Sequence, residues 1–491
     1  MTNTKSRYIS DHISNEEIAS WELGKKYLIR SGTGSGKSYF VKNNLYEFCK
    51  NKGHKILLLS NRTILRKQNE EDLGEEKLEI IHPRNYQSFE NLVIGKDKSL
   101  KILLEPYKVI VFDEFHYVHS DSQFNRNTDI LLELIRNPPQ NKILLVITAT
   151  PEILLNYYEF EKDKVYNIPT NYNYVRKIFF YTKEETPEAL IQNMDGEEKS
   201  IYFGDANQAF ELSNKFEDAS FICAKNNIKY YKEKEMSRVV AQISEKSSFE
   251  SRLLCTTKVL DNGVNIADLD LKNVIIDTLN PITLIQELGR KRVLNENDTI
   301  NLYIRNQHRG IINFNLIDYK NGIYKQLKDL FDFENLPREE FLKKYRKKSY
   351  ADVIDNDYSV NVAKRENLLY LANLYENLLK EKDSYKKMIC NLLGKDISEA
   401  GNADMEIEKN STLGFLETKL EKKLYKKEQE KFKQDFFNMI FLPKKTNYRH
   451  RALRSINAVL EEDNLPYRVT SGKDRGGESK KPETYWIVIA V

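Results

Sequence analysis

Two short stretches of this chain combine side chains whose types and spacing could do chemistry on phosphates. The first is Ser31-Gly32-Thr33-Gly34-Ser35-Gly36-Lys37-Ser38, which follows a β-rich run, Lys26–Arg30, and opens a segment with helical patterning. Alternate glycines permit the backbone turns that aim successive N–H groups at phosphate oxygens. Thr33 and Ser35 belong to the same cradle, Lys37 is placed to reach the β- and γ-phosphates, and the Ser38 hydroxyl to ligate Mg²⁺. A Gly-rich turn before a helix is the plainer reading, and Lys-Ser in register after the third glycine weighs against it. The second stretch is Asp113-Glu114-Phe115-His116, at the end of the apolar run Val109–Phe112. Adjacent acids alone are usually a solvated turn. At the carboxyl end of a buried strand they stand where open α/β sheets bind ligands. There Asp113 can hold Mg²⁺ and Glu114 can orient and deprotonate an attacking water.

The elements that must position these groups can be read from the apolar runs. Lys26–Arg30, Lys55–Ser60, Leu78–Ile81, Lys108–Phe112 and Lys142–Ile147 form one set. Lys177–Tyr181, Ser200–Phe203, Phe221–Ala224, Arg252–Thr256, Asn273–Asp277 and Thr299–Ile304 form another. Continuous rather than alternating apolar runs indicate strands buried on both faces, as in a parallel sheet covered by helices. Their alternation with helical stretches predicts doubly wound α/β domains, with a hinge at Pro169–Arg176. Beyond Arg309 the pattern becomes helical: Tyr319–Tyr345, Arg365–Leu393 and a strongly charged Thr418–Met439, with Gly401–Gly414 as a polar loop. The last segment predicts a helix, Arg451–Glu462, and two strands, Tyr467–Ser471 and Thr484–Ile489, around a Gly- and Lys-rich loop. That is the outline of a winged-helix-like α+β module, and Tyr485 and Trp486 could equally pack the hairpin onto a helix.

Taken in order, these motifs resemble the set found in superfamily 2 helicases of the D-E-x-H type. Ser31 replaces the first glycine of the strict phosphate-loop pattern, as a small residue does in helicases. Thr148-Ala149-Thr150 resembles the third motif, which implies coupling of the ATP site to nucleic acid through Thr148 and Thr150, although two hydroxyls capping a helix fit the same residues. Ser60-Asn61-Arg62 and Tyr86-Gln87-Ser88 resemble stretches that hold phosphates of one strand, which implies contacts from Ser60, Arg62, Tyr86 and Gln87. Thr257 and Asn262-Gly263-Val264-Asn265 resemble the fifth motif, with Thr257 on the nucleic-acid backbone and Gly263 and Asn265 facing the nucleotide. Asn265 stands where many members carry Asp. Gln286-Glu287-Leu288-Gly289-Arg290-Lys291-Arg292 resembles the sixth motif, with Arg292 one residue early, a compressed form similar to that of viral origin-binding-protein helicases. The resemblance implies catalytic roles for Gln286, Arg290 and Arg292, because a planar, always-charged guanidinium can stabilise charge on the γ-phosphate. Which arginine does so stays open.

The resemblance, which covers roughly residues 20–306, implies two tandem RecA-like lobes, 1–170 and 171–309, and the pattern beyond them predicts a helical accessory region, 310–440, and a basic module, 441–491. It implies ATP and Mg²⁺ as cofactors and nucleic acid as partner, DNA favoured over RNA. The alternative is a nucleic-acid-gated ATPase switch, or a subunit of a replication, mobile-element or phage-defence complex with protein partners. A small-molecule kinase sharing only the phosphate loop would leave the acidic box and the second lobe unexplained. No Gln precedes Gln68, so an adenine-reading Gln is not expected upstream of the phosphate loop, and Trp21 is either a base-stacking or a core residue.

Composition sets the outer bounds. No run reaches the roughly 18 apolar residues of a membrane span, and the polar first residues do not read as a secretory signal. Four scattered cysteines, with no C-x-x-C pair, argue against a zinc site or disulfide framework and for a cytoplasmic setting. Net charge is +4, and residues 441–491 carry ten Lys and Arg against six acids, an excess equal to that of the whole chain. A weak global charge therefore conceals a local basic patch in which Arg451 and Arg454 are candidate phosphate contacts.

Overall fold

The computed structural model describes residues 8–61, 73–95, 100–122, 125–194, 196–225, 227–262, 265–318, 322–345, 353–354, 359–439, 453–475 and 481–491. The chain divides into two compact units, one of residues 1–177 and 196–399, the other of residues 178–195 and 400–491.

The first unit contains two parallel sheets. In the first sheet the strands are β1 (Lys26–Arg30), β2 (Ile56–Ser60), β3 (Ile81–Asn85), β4 (Val109–Asp113), β5 (Ile143–Thr148) and β6 (Val165–Asn167), in the order β3-β2-β4-β5-β1-β6. Every neighbouring pair is parallel. β2, β4 and β5 are apolar and buried almost throughout, so helices must cover both faces. Two apolar clusters do this, one around Phe40, Leu45 and Ile147, the other around Phe112, Phe115 and Leu132.

The second sheet holds β8 (Lys199–Phe203), β9 (Ala219–Ile222), β10 (Leu253–Thr256), β11 (Leu271–Ile276) and β12 (Ile300–Arg305), in the order β12-β11-β8-β10-β9, again parallel. These are the two doubly wound lobes that the strand pattern implies. Because all strands in a sheet run one way, Arg30, Ser60, Asp113 and Thr148 end at one edge of the first, as Phe203, Thr256 and Ile276 do in the second. Helices Ile323–Asn335, Arg338–Tyr345, Val362–Lys380 and Ser384–Leu392 complete this unit.

β7 (Val175–Tyr181) crosses the division between the units at Lys177. In the second unit its end pairs with β13 (Gly401–Asn402), and Asp404 accepts from the Thr182 N–H at 2.8 Å and the Thr182 hydroxyl at 2.6 Å. Helices Ala403–Lys419, Lys426–Met439 and Leu453–Glu462 surround a cluster containing Phe432, Phe436, Ile456 and Leu460. Antiparallel strands β14 (Tyr467–Asp474) and β15 (Glu483–Ala490) close it, with Val469 opposite Val488. Helix plus hairpin is the α+β module expected at this end.

Several element boundaries differ from expectation. β3 starts at Ile81 rather than Leu78 and contains Pro83, which an edge strand tolerates because it lacks a second ladder partner. The loop expected at Gly401–Gly414 is instead the first part of helix Ala403–Lys419, nucleated by Asn402, whose side chain accepts from the Met405 N–H, and anchored by Leu416. The continuous helix expected over Thr418–Met439 breaks between Lys419 and Lys426. There Leu424 exchanges backbone hydrogen bonds with Trp486 of the hairpin, at 2.8 and 2.9 Å.

Candidate nucleotide and strand site

Beyond β1 the backbone turns through Gly34 (φ +76°) and Gly36 (φ +78°), left-handed values that a side chain would oppose. Gly32 is required for a different reason, since a Cβ there would lie 2.5 Å from Thr170. The loop is braced from inside. Ser31 N–H donates to the Thr148 carbonyl at 3.0 Å and the Ser35 hydroxyl to the Gly32 carbonyl at 2.8 Å. Thr33 lies against the other lobe, because a Cβ at Gly289 would collide with its side chain. Lys37 opens the following helix, and its ammonium is ion-paired with the Glu114 carboxylate, both side chains nearly buried. Ser38 is exposed beside it.

Asp113 ends β4, and Glu114 follows with φ +55°, a left-handed backbone that costs a non-glycine residue about 1–3 kcal/mol. A hydrogen bond from its N–H to the Ile147 carbonyl (2.8 Å) holds that turn. Burial alone would push the Glu114 carboxyl up. The Lys37 ammonium and His116 outweigh it and hold the group well below the usual carboxylate range. His116 Nδ1 lies 3.4 Å from Glu114 Oε2 and 3.3 Å from the Thr148 hydroxyl, which also accepts from the Thr150 N–H at 3.2 Å. Thr148, Thr150, His116 and Glu114 thus form one continuous polar chain.

The second lobe brings its seven-residue motif, Gln286 to Arg292, to the same place. Helix Pro281–Leu288 ends at Gly289, and the following residues form a bridge with Ile266, with Ile266 N–H bonded to Arg290 O and Arg292 N–H to Ile266 O, both at 2.8 Å. Three neighbouring cations meet different fates. Lys291 is buried, paired with the two carboxylate oxygens of Asp298 at 2.7 and 2.8 Å. Arg290 is 3% exposed, with its guanidinium on the Gln286 carbonyl and amide oxygens at 3.2 and 3.4 Å. Arg292 Nε donates to Asn265 Oδ1 at 2.8 Å, and its Nη1 lies 3.7 Å from the point where a Cβ on Gly34 would stand. Arg292 therefore hangs over the glycine loop. It lines a cleft of about 80 Å³ together with Gly32, Thr33, Gly34, Ser35 and Thr170.

A larger cavity of about 550 Å³ opens beside the acidic box. Gln87, His116, Thr257 and Gln286 reach it from both lobes, joined by Asn125, Lys258, Asn280 and Thr283. Three strand-contact or catalytic candidates, Gln87, Thr257 and Gln286, are thereby brought together.

Two other candidates sit elsewhere. Tyr86 is 3% exposed and its hydroxyl donates to the Asp113 carbonyl at 2.8 Å, so it braces the acidic box instead of facing a strand. Ser60 is buried at the end of β2. Arg62, Gly263 and Arg451 lie outside the described residues. Trp21 is a core residue, stacked on Tyr27 at 4.5 Å with its Nε1–H on the Tyr166 hydroxyl. In the second unit Arg454, Arg468, Lys473 and Arg475 are exposed. Trp486 packs into the apolar cluster under the Lys433 ammonium, and Tyr485 lies beneath Lys423.

Sequence reasoning missed His116 as a link and Asn265 as the partner of Arg292. The histidine of D-E-x-H was the available signal for the first, and for the second there was none. Among the described residues no helix is long and apolar enough to cross a membrane, and no cluster of three or more metal-ligating side chains occurs.

Residues 4–153 match the helicase-family domain described as "Type III restriction enzyme, res subunit", a span of less than half of the chain. No curated protein matches. Among solved structures, Mss116p bound to ssRNA and AMP-PNP aligns at 13% identity and a TM-score of 0.43, over 77% of this chain and 84% of that one. The DUF1998 helicase MrfA bound to DNA and AMPPNP aligns at 14% identity and a TM-score of 0.42, over 59% of this chain and 47% of that one.

Proposed function

We propose that this chain is a superfamily 2 ATPase that grips and moves along nucleic acid, DNA in preference to RNA. The observation that carries the reading is the approach of charged groups from two lobes to one glycine loop and the acidic box beside it. Lys37 and Glu114 are paired at the carboxyl edge of the first sheet, and Arg292 reaches over Gly34 from the second lobe. The helicase-family match on residues 4–153 supports it.

The residues present fit a nucleoside triphosphate with Mg²⁺. The left-handed glycines leave backbone N–H groups without Cβ cover, Lys37 supplies a cation, and Ser38 and Asp113 supply oxygen ligands for the ion. When bound, the triphosphate supplies the scissile phosphoanhydride and Mg²⁺ draws charge from its oxygens. The chain's own residues do the rest. Lys37 exchanges Glu114 for phosphate, which frees Glu114 to take a proton from the attacking water. Arg292, held by Asn265, stabilises charge developing on the transferred group. A cleft of about 80 Å³ is far smaller than the few hundred Å³ typical of ligand sites. The lobes therefore part to admit nucleotide, and that motion is the stroke that changes the grip on a strand.

Glu114→Gln tests the assignment most cleanly, since it keeps the shape and drops the base. Turnover should fall at least about a hundredfold, and the melting temperature should fall as well, because the nearly buried Lys37 ammonium loses its carboxylate. Lys37→Ala should also lose turnover, and it should melt lower because Glu114 is left nearly buried without its ammonium. Undiminished hydrolysis in both variants would remove the assignment.

A second reading is favoured by the name of the matched family, which describes a subunit of a restriction enzyme. Here the chain would hydrolyse ATP inside a defence assembly without separating strands itself. A forked-duplex displacement assay divides the two: a motor releases a strand, whereas a gated subunit hydrolyses ATP and releases none. The preference for DNA rests on the exposed Arg454, Arg468, Lys473 and Arg475 of the winged-helix-like module.

A further inference from the structure

Helix Val362–Lys380 follows the second lobe in sequence, yet its N-terminus is built onto the first. Asp129, on helix Asp129–Arg136, accepts from the N–H groups of Val362 and Ala363 at 2.7 and 2.9 Å. Ala363 is buried in the first lobe's apolar cluster. Three residues on, the buried Glu366 carboxylate accepts from Tyr158 at 2.9 Å and pairs with His119 Nε2 at 2.9 Å, and its carbonyl accepts from Tyr157 at 2.9 Å. His119 lies on helix Tyr117–Asp121, directly behind the acidic box.

The residue after Glu366 is Asn367, and it lines the 550 Å³ cavity that Gln87, Thr257 and Gln286 also line. Two atoms of that wall have no hydrogen-bond partner among the described residues: His119 Nδ1 and Gln286 Nε2, on side chains 1% and 2% exposed. With His119 Nε2 on the Glu366 carboxylate, Nδ1 is the ring's remaining hydrogen-bonding atom, and Gln286 Nε2 is a donor. Buried polar groups such as these are costly unless a ligand or an ordered water completes them. The amide and hydroxyl lining of Asn125, Asn280, Thr283 and Asn367 suits a chain that carries both donors and acceptors, as a polynucleotide does.

Resting on the reading of the chain as a nucleic-acid-dependent ATPase, we propose that helix Val362–Lys380 is the third wall of its strand channel. Asn367 is the contact with the strand. Glu366, through His119, is the positioning residue that ties occupancy of the channel to the helix behind Glu114.

The test uses the full chain with fluorescein-labelled oligo(dT) and oligo(U), reading anisotropy, ATP turnover with and without oligonucleotide, and the melting temperature. Asn367→Glu, at a partly exposed position, should weaken oligonucleotide binding about tenfold or more by setting a carboxylate against phosphates. Glu366→Gln should keep the affinity and lower the ratio of stimulated to basal turnover by about fivefold or more, a coupling loss within the range seen along linked sites. Asn367→Glu decides the wall even if Glu366→Gln fails to fold. Wild-type affinity in Asn367→Glu, or an equal fall of basal and stimulated turnover in Glu366→Gln, would overturn the proposal. If the wild-type chain neither binds nor responds to oligonucleotide, the functional reading falls and this one with it. If it responds and both variants behave like it, this inference alone falls.

Discussion

Removing the guanidinium at Arg292 should abolish most ATP turnover while leaving the fold and nucleotide binding in place. The structure separates this residue from its neighbours. Arg290 is buried against Gln286 and Lys291 is locked to Asp298, whereas Arg292 stands over Gly34 with its Nε on Asn265. An arginine aimed at a transferring phosphoryl group contributes about 10³–10⁵ in rate, equal to about 4–7 kcal/mol of barrier at 1.36 kcal/mol per decade. Arg292→Ala should thus lose at least about a thousandfold in single-turnover hydrolysis. Arg292→Lys should recover only part of it, since an ammonium keeps the charge without the planar fork. Binding of a fluorescent ATP analogue should change far less than the rate, because the interaction forms mainly in the transition state. Asn265→Ala should show a smaller fall in the same direction. Turnover of Arg292→Ala within about threefold of wild type, beside a dead Arg290→Ala with an unchanged melting temperature, would refute this role for Arg292. The finger would then be Arg290.

Three further outcomes follow from charge and burial. Burial pushes the Asp121 carboxyl up to about 6, above its ordinary 3.8. Its ionised form therefore costs stability at pH 7.5, at most about 3 kcal/mol by linkage. Asp121→Asn should raise the melting temperature at pH 7.5, and the gain should fade as the pH drops from about 6 toward 3.8; a gain independent of pH would contradict this. Lys291→Met leaves Asp298 buried without its cation, so the second lobe should lose about 3–5 kcal/mol, seen as earlier urea unfolding; wild-type stability would show the pair to be dispensable. Replacing Arg454 and Arg468 together should flatten the salt dependence of duplex binding by roughly two phosphate contacts, and an unchanged slope would take the C-terminal module out of the interface.

The lobes were legible because their strands are apolar end to end. β2, β4 and β5 carry no alternation, and only a sheet covered on both faces accommodates that. The phosphate loop and the acidic box were legible because each is local: a run of glycines before Lys37, and two acids at the end of one strand. The remainder of the site depends on contacts distant in sequence, which short-range patterning does not encode. Glu366 meets His119 across 247 positions and Asn265 meets Arg292 across 27, and neither pair has a local signature. Tyr86 was misread for the same reason. The resemblance of Tyr86-Gln87-Ser88 to a strand-holding stretch implies a surface contact, whereas the Tyr86 hydroxyl turns inward to Asp113. The helix at Ala403–Lys419 was missed because Gly401 and Gly414 and the intervening polar residues suggest a loop, although the Asn402 cap and the apolar seat of Leu416 prevail.

If the two lobes close on ATP under the control of a bound strand, hydrolysis must respond to that strand. Steady-state ATP hydrolysis measured without nucleic acid, then with single- and double-stranded DNA and RNA, tests it most directly. Basal turnover should be slow, depend on Lys37 and Glu114, and rise strongly with single-stranded DNA. Turnover that is absent under every condition, or equally fast with and without each nucleic acid, would contradict it.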